Sequence, residues 1–226
     1  THVHNTNNCS LNINSQIQVE ERMNAALGYQ PHWIREDFVD FILQTIKPNL
    51  AWKRIVAEVT ATKSLCTDMV LLTLNPNHNF DLNQVKAGQS VLLSLKIEGV
   101  YQQRSYSIVN VTAQGEIQLG VKVQGVVSNA VQQLRIGDHV EISQPQGEFV
   151  LHRGQQAALM MASGSGITAI YSLLKQAIEQ NLNEIHVLYF NRAEVFHQEI
   201  LALAEQHPQL KYHFFNTAQQ KQHLNT

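Results

Sequence analysis

This sequence has few cysteines and a net charge close to zero, and each of these features excludes a class of protein. The 226 residues contain two cysteines, Cys9 and Cys66. Two are too few for a disulfide scaffold or for an iron–sulfur cluster held by four thiolates. The formal net charge is -2, so the chain lacks the basic surface that nucleic-acid binding requires. We therefore expect no nucleic-acid partner, and no 2Fe-2S cluster on this segment.

The sequence also lacks long apolar runs and closely spaced metal-ligating residues. No run approaches the roughly 20 apolar residues of a membrane-spanning helix, and no charged-then-apolar leader opens the chain. The 11 histidines are scattered along the sequence, so no metal site is expected. We expect a cytoplasmic protein in a reducing setting, with no transmembrane segment. A hydrophobic content of 44% against 15% charged residues is typical of a globular fold.

The first fifty residues change character along their length. They begin polar and rich in asparagine, and then apolar residues recur near the helical spacing at Phe38, Phe41, Ile42 and Ile46. Glycine and proline residues punctuate this part of the chain and divide the pattern into short pieces. We expect residues 1–50 to form an N-terminal tail with short helices.

Residues 51–152 carry a pattern of short strands. Six segments are β-branched and alternating, and turn residues separate them: KRIVAEVTA, MVLLTL, SVLLSLKI, RSYSIV, EIQLGVKV and HVEIS. Closure into a barrel removes the exposed edges that such strands would otherwise present. The pattern therefore predicts a six-stranded antiparallel barrel of Greek-key type. One helical segment, residues 128–134, precedes the last strand.

Residues 153–226 change to an alternation of strands and helices. The order strand–helix–strand–helix–strand predicts a parallel sheet with right-handed crossovers. Three strands make a small sheet for this class, so we expect an incomplete nucleotide-binding α/β domain. The first strand leads into MASGSGITAIYSLL, where Gly164 and Gly166 precede a helix and Ala169 takes the third fingerprint position. Such a turn lets a pyrophosphate approach a helix N-terminus.

The strand around RSYS has polar residues on both faces. Alternation turns Arg104 and Tyr106 to one side and Ser105 and Ser107 to the other. A strand between a core and solvent normally has one apolar face, so this strand is predicted to face something besides core and water.

Four short elements occur in a specific order: RSYS at 104–107, GVVSN at 125–129, PQGEF at 145–149 and GSGITA at 164–169. Their order resembles that of the ferredoxin–NADP reductase superfamily, and within it the reductase components that pass electrons to oxygenases and desaturases. The resemblance implies a barrel that binds FAD, followed by an α/β domain that binds NAD(P)H. The element PQGEF resembles the turn that closes the barrel.

By this resemblance the RSYS strand holds the flavin. Arg104 would bind the flavin phosphate, Tyr106 would lie against the ring or its ribityl chain, and Ser107 would hydrogen-bond near the reactive ring nitrogen, with Ser105 between them. The alternative is structural, with Arg104 in a surface ion pair and Tyr106 in the core.

The resemblance also assigns the second element to the flavin diphosphate, which favours FAD over FMN. Gly125, Val127, Ser128 and Asn129 would form this site at a helix start. Ser128 is predicted to be the N-cap, with Asn129 as the competing choice.

The third element resembles the family's pyridine-nucleotide loop. Gly164 and Gly166 would bind the nucleotide, and Thr168 would place a hydroxyl near the nicotinamide and the flavin. Ser107 and Thr168 are therefore the two candidate catalytic residues. Ala169 replaces the family's proline, which makes the loop less rigid. Arg192, at the end of the next strand, suits an anionic ribose, or it is a solvated loop residue.

The implied function is electron transfer from NAD(P)H through FAD to a ferredoxin-type iron–sulfur protein or domain that serves an oxygenase or a desaturase. The sequence departs from the family at its end, because no Cys-Gly-Pro-like stretch and no four-cysteine cluster follow. The alternative is a flavin-binding regulatory or sensor module without reductase turnover. The residues do not distinguish NADH from NADPH.

Overall fold

The computed structural model describes Ala51 and residues 53–218. The N-terminal tail and helices predicted over residues 1–50 lie outside the described residues, as do residues 219–226. All element bounds below refer to the described part.

Six antiparallel strands form the first half of this part: β1 (Ile55–Cys66), β2 (Met69–Pro76), β3 (Ser90–Ile97), β4 (Val100–Val111), β5 (Ile117–Lys122) and β6 (His139–Ile142). They close into a barrel in the spatial order β1-β2-β5-β4-β3-β6. The order departs from the chain order at β5 and at β3, as the crossovers of a Greek key require. The predicted six-stranded antiparallel barrel is confirmed.

The barrel closes around the apolar face of its alternating strands. Among its fully buried side chains are Leu72, Leu74, Leu93, Ile117 and Leu119, drawn from three different strands. Burying each leucine or isoleucine contributes about 1.5–3 kcal/mol to stability. The period-2 alternation read from the sequence therefore specifies which side of each strand faces the interior.

One helix of the barrel half, α1 (Val126–Gln132), begins earlier than predicted. Its N-cap is Gly125, in extended backbone, and Ser128 is the third helical residue. The Ser128 hydroxyl accepts from the N–H groups of Gln124 and Gly125 at 3.0 and 2.9 Å and donates to the Gly125 carbonyl at 3.0 Å. The prediction of Ser128 as N-cap is wrong, because the side chain reaches back from the third position.

The second half contains three parallel strands and two helices: β7 (Ala157–Ser163), α2 (Ile167–Glu179), β8 (Glu184–Asn191), α3 (His197–Gln206) and β9 (Leu210–Asn216). The sheet order is β7-β8-β9, with parallel pairing throughout. This confirms the predicted strand–helix alternation and its parallel sheet.

An apolar cluster joins the barrel to the α/β half. Met69 and Val109 of the barrel are buried in the same cluster as Met160, Ile167 and Leu173 of the α/β half. Because Val109 lies on the outer face of β4, this strand has core contacts on both of its sides. Part of the barrel surface and the α/β core thus form one continuous apolar cluster.

Two hydrogen bonds reinforce this junction. The Lys175 ammonium in α2 donates to Asn110 Oδ1 at 2.7 Å, and the Gly88 N–H donates to Ser172 Oγ at 2.9 Å. Burial at the junction lowers the pKa of Lys175, since removal from water disfavours the charged form.

Tyr189 provides a pH-dependent test of the α/β core. Its side chain is fully buried in β8, and its hydroxyl accepts a 2.6 Å hydrogen bond from the Asn191 amide. Burial raises the pKa of Tyr189 from 10.0 to about 12. The stabilisation from the protonated phenol is therefore complete below pH 10 and is lost as the pH rises towards about 12.

We expect the stability advantage of the wild type over Tyr189→Phe to shrink across this alkaline range. Urea unfolding at a series of pH values measures it, and ultraviolet absorbance of the phenolate follows the ionisation. Parallel pH profiles for the two proteins would contradict the assignment.

Candidate functional site

A cleft of about 480 Å³ lies where the barrel meets the α/β half. Its size falls within the range of small-molecule sites. β4, β5, the start of α1 and the turn that leads into α2 all contribute to its wall. The lining residues are Arg104, Ser105, Tyr106, Ser107, Gly120, Lys122, Gln124, Gly125, Val126, Val127, Ser128, Ser165, Gly166 and Thr168.

The cleft exists because two neighbouring strands of the barrel diverge. β4 pairs with β3 from Val100 to Ser107, but it pairs with β5 only from Ile108 onward, opposite Leu119. In the described part of the chain, the other edge of residues 104–107 therefore has no strand partner. Backbone groups along such an edge are available to a bound ligand.

The two faces of the RSYS strand have different surroundings. Arg104 and Tyr106 lie opposite Leu93 and Val91, which are buried in the barrel. Tyr106 is partly buried against this core, and its burial raises its pKa. The Arg104 guanidinium is exposed and donates to the carbonyl of the preceding residue at 2.7 Å. Arg104 thus lies at the cleft, and it has no acidic partner within salt-bridge distance in the described part of the chain.

The serines of this strand turn to the other face. Ser105 Oγ lies 2.9 Å from Ser90 Oγ on β3, and Ser107 is partly buried where β4 reaches the junction. Val109, next on this face, is already in the junction core. The polar residues on both sides of the strand therefore surround one edge that opens into the cleft.

The second element contributes backbone more than side chains. Gly125, Val127 and Ser128 line the cleft, but the Ser128 hydroxyl is occupied by its three bonds within the helix start. Asn129 is exposed and lies outside the lining. Neither Ser128 nor Asn129 therefore offers the cleft a polar side chain that is free to bind a ligand.

The third element faces the barrel across the cleft. Gly166 and Thr168 line it, and Thr168 Oγ1 donates to the Ser165 carbonyl at 2.9 Å. Gly164 lies just outside the lining, at the start of the turn, with a φ of +55° that favours glycine. Arg192 is exposed after β8 and also lies outside the lining.

Five lining residues were not predicted from the sequence: Gly120, Lys122, Gln124, Val126 and Ser165. Gly120 and Lys122 lie beyond the last β4–β5 pair, where the strands diverge. A glycine inside a strand often marks the close approach of another group, so the sequence pattern could have indicated Gly120. The Lys122 ammonium lies 3.9 Å from the Asp68 carboxylate, and nothing in the sequence marked it.

This arrangement suits a flavin nucleotide. An unpartnered strand edge offers amides and carbonyls to the heteroatoms of the ring. The glycine at position 125 leaves the wall open, since a Cβ atom there would meet nothing within 4 Å. The Arg104 guanidinium in the lining is a cation of the kind that binds phosphate well. Within residues 53–218, no group of three or more acidic, histidine or cysteine side chains could hold a metal ion.

Comparison with known families identifies the two halves. Residues 56–151 match the family model of the oxidoreductase FAD-binding domain, and residues 160–226 match that of the oxidoreductase NAD-binding domain. The class of protein is thus a flavin- and nicotinamide-binding oxidoreductase. This pair of domains confirms the predicted resemblance to the ferredoxin–NADP reductase superfamily.

Individual relatives show how much of the chain is shared. The chain is 30% identical over 151 residues to a flavohemoprotein of Pseudomonas putida, covering 64% of this chain and 38% of the relative. It is 28% identical over 167 residues to methane monooxygenase component C of Methylosinus trichosporium, covering 69% of this chain and 48% of the relative. The chain spans less than half the length of both relatives.

A solved structure of a ferredoxin NADP+ reductase from Neisseria gonorrhoeae, with bound FAD and NADP, shares the fold. Its TM-score is 0.62 at 19% identity, over 72% of this chain and 68% of that chain.

The helices of the described part are too short or too polar to cross a membrane.

Proposed function

We propose that this chain transfers electrons from NAD(P)H through FAD to a ferredoxin-type iron–sulfur acceptor that serves an oxygenase or a desaturase. One observation carries the proposal: a single cleft is lined both by the open edge of a barrel strand and by the glycine turn of the α/β half. Two cofactors must meet for a hydride to pass between them, and this cleft provides a wall for each.

The barrel wall would hold FAD. The exposed guanidinium of Arg104 would bind its phosphate, because charge-assisted hydrogen bonds to anions are among the strong ones. Tyr106 presents a partly buried ring beside the unpartnered edge, where a planar ring system can pack on it. Gly125 and Val127 would bring backbone close to the diphosphate.

The α/β wall would hold the nicotinamide nucleotide. Gly166 is exposed in the turn, and an alanine Cβ there would meet nothing within 4 Å, so the backbone is open to a phosphate. Thr168 is buried at the junction, and its hydroxyl is held by the Ser165 carbonyl. Ser107 and Thr168 would orient the reacting ring edges from opposite walls.

When bound, FAD supplies the conversion of a two-electron hydride into single electrons. The protein's part is to bind, to orient and to exclude water. The related methane monooxygenase component C supports an oxygenase as the final destination of the electrons.

Stopped-flow mixing tests the reductase activity. The whole protein, loaded with FAD, is mixed anaerobically with NADH or NADPH. We expect flavin absorbance to bleach with at least one of them at about 1 s⁻¹ or faster, within the usual range of enzymes. If neither nucleotide bleaches the flavin, the proposed reductase activity is wrong, and the result favours a flavin-binding regulatory module.

The acceptor is tested separately. With the flavin reduced, a 2Fe-2S ferredoxin and a haem protein such as cytochrome b5 are offered as alternative acceptors. Faster reduction of the ferredoxin supports the proposal, whereas a clear preference for the haem protein would contradict the iron–sulfur part of it.

A further inference from the structure

Gly120 lies in β5 where the barrel wall touches the nucleotide loop. A Cβ atom on this residue would lie 2.2 Å from Thr168 Cγ2 and 2.9 Å from Thr168 Cβ. Carbon atoms in contact normally lie about 3.5–4.0 Å apart. Because the φ of Gly120 is outside the left-handed region, the close approach of Thr168, and not backbone strain, requires a glycine here.

Neither side of this contact has room to yield. The same Cβ would lie 3.3 Å from Val109 Cγ2 in the junction core. Thr168 is 3% exposed, its hydroxyl is bonded to the Ser165 carbonyl, and the adjacent Ile167 is fully buried. A side chain at position 120 would therefore move the start of α2 away from the barrel.

We propose that Gly120 is a positioning residue that sets the distance between the nucleotide loop and the flavin wall. Gly120 and Thr168 line the same cleft, so a shift at their contact changes the spacing of the two walls. The inference rests on the proposed function, because the spacing matters through the alignment of nicotinamide and flavin.

The contact itself is tested first, in flavin-free protein. Overpacking of this kind commonly costs about 1–3 kcal/mol, so Gly120→Ala is expected to lower Tm by about 5 °C. A crystal structure of the variant should show the Thr168 backbone about 1 Å farther from β5, the distance needed to relieve the overlap.

A second substitution checks that Thr168 is the partner. Thr168→Ser keeps the hydroxyl and removes Cγ2, the nearest atom. On the Thr168→Ser background, Gly120→Ala should lower Tm by less than half as much as it does in the wild type. Equal losses on both backgrounds, with Thr168 unmoved in the crystal structure, would overturn the contact.

The positioning role is tested in FAD-loaded protein. Gly120→Ala should keep full flavin occupancy and an unchanged flavin spectrum, while reduction by NADH or NADPH slows at least about 10-fold, since misplacements near 1 Å cost up to about 100-fold. The long-wavelength charge-transfer absorbance of the nicotinamide–flavin pair should weaken. Reduction by dithionite, which needs no nicotinamide, should keep its rate.

Gly99→Ala is the matched control. Gly99 lies in the turn between β3 and β4, and its Cβ would meet nothing within 4 Å. Its φ of +83° makes alanine strained, so this variant should lose stability without slowing reduction. An unchanged reduction rate and charge-transfer band in Gly120→Ala would overturn the positioning role. If the wild type is reduced by neither nucleotide, the proposed function fails, and Tm and the crystal structure alone decide the contact.

Discussion

Replacing Arg104 with alanine is expected to weaken FAD binding about 100-fold and to leave the barrel folded. The guanidinium is exposed at the cleft, and among the described residues its hydrogen bond goes to the adjacent carbonyl of Gln103. Little of the fold therefore depends on it. Hydrogen bonds from a charged donor to an anion contribute about 1.5–3 kcal/mol, and each 1.4 kcal/mol is about tenfold in affinity. Fluorescence titration of the flavin-free protein with FAD measures the change, and circular dichroism checks the fold.

Two further variants define the role of Arg104. Arg104→Lys keeps the charge and removes the planar fork, so it should recover only part of the affinity. Arg135→Ala removes another exposed arginine, from the turn before β6 and outside the cleft lining, and should bind FAD as the wild type does. Full FAD occupancy in Arg104→Ala would refute the assignment of this residue to the cofactor.

Replacing Gly88 with alanine is expected to cause the largest loss of stability of any single methyl addition considered. Gly88 has a φ of +87°, and its Cβ would lie 1.9 Å from the Phe149 carbonyl oxygen and 3.0 Å from Leu173 Cδ2. The left-handed backbone alone costs about 1–2 kcal/mol, and overpacking adds about 1–3 kcal/mol. The hydrogen bond from its N–H to Ser172 would also be strained. We expect the free energy of unfolding to fall by about 3–5 kcal/mol.

The same substitution at Gly99 separates these two causes. Gly99 has nearly the same φ, +83°, but open space around its Cβ. Gly99→Ala should therefore cost only about 1–2 kcal/mol, the backbone contribution alone. Urea unfolding of both variants in the flavin-free state gives the comparison. Equal losses would show that the packing around Gly88 is not as tight as the structure indicates.

The strands and the parallel sheet were predictable because their side-chain pattern is strictly local. Alternation in β3 and β5 identifies the buried face residue by residue, and Leu93 and Leu119 are indeed fully buried. The start of α1 was not predictable in the same way. Val126 and Val127 are β-branched, which lowers their helix propensity, so the sequence pattern predicted a helix start at Ser128. In the structure Ser128 is the third helical residue, and its hydroxyl bonds back to the N-cap, Gly125.

The site was only partly predictable from the sequence, because it depends on long-range pairing as well as on local motifs. A motif such as RSYS identifies a strand with an unusual pattern, but the gap between β4 and β5 arises from long-range pairing that a single sequence does not reveal. Lys122 lines the cleft beyond the last β4–β5 pair, and Asn129 and Arg192 lie outside the lining although their motifs suggested otherwise. Which of the lining residues contact the cofactors remains a prediction that the Arg104 and Gly120 variants test.

The open edge of residues 104–107 also has a consequence for the life of the protein before it acquires its cofactor. Unpartnered strand edges are templates for pairing between chains. A newly made chain without FAD would present such an edge at the mouth of its barrel, and a bound flavin would cover it. Cofactor binding would thus protect this edge from pairing with a second chain.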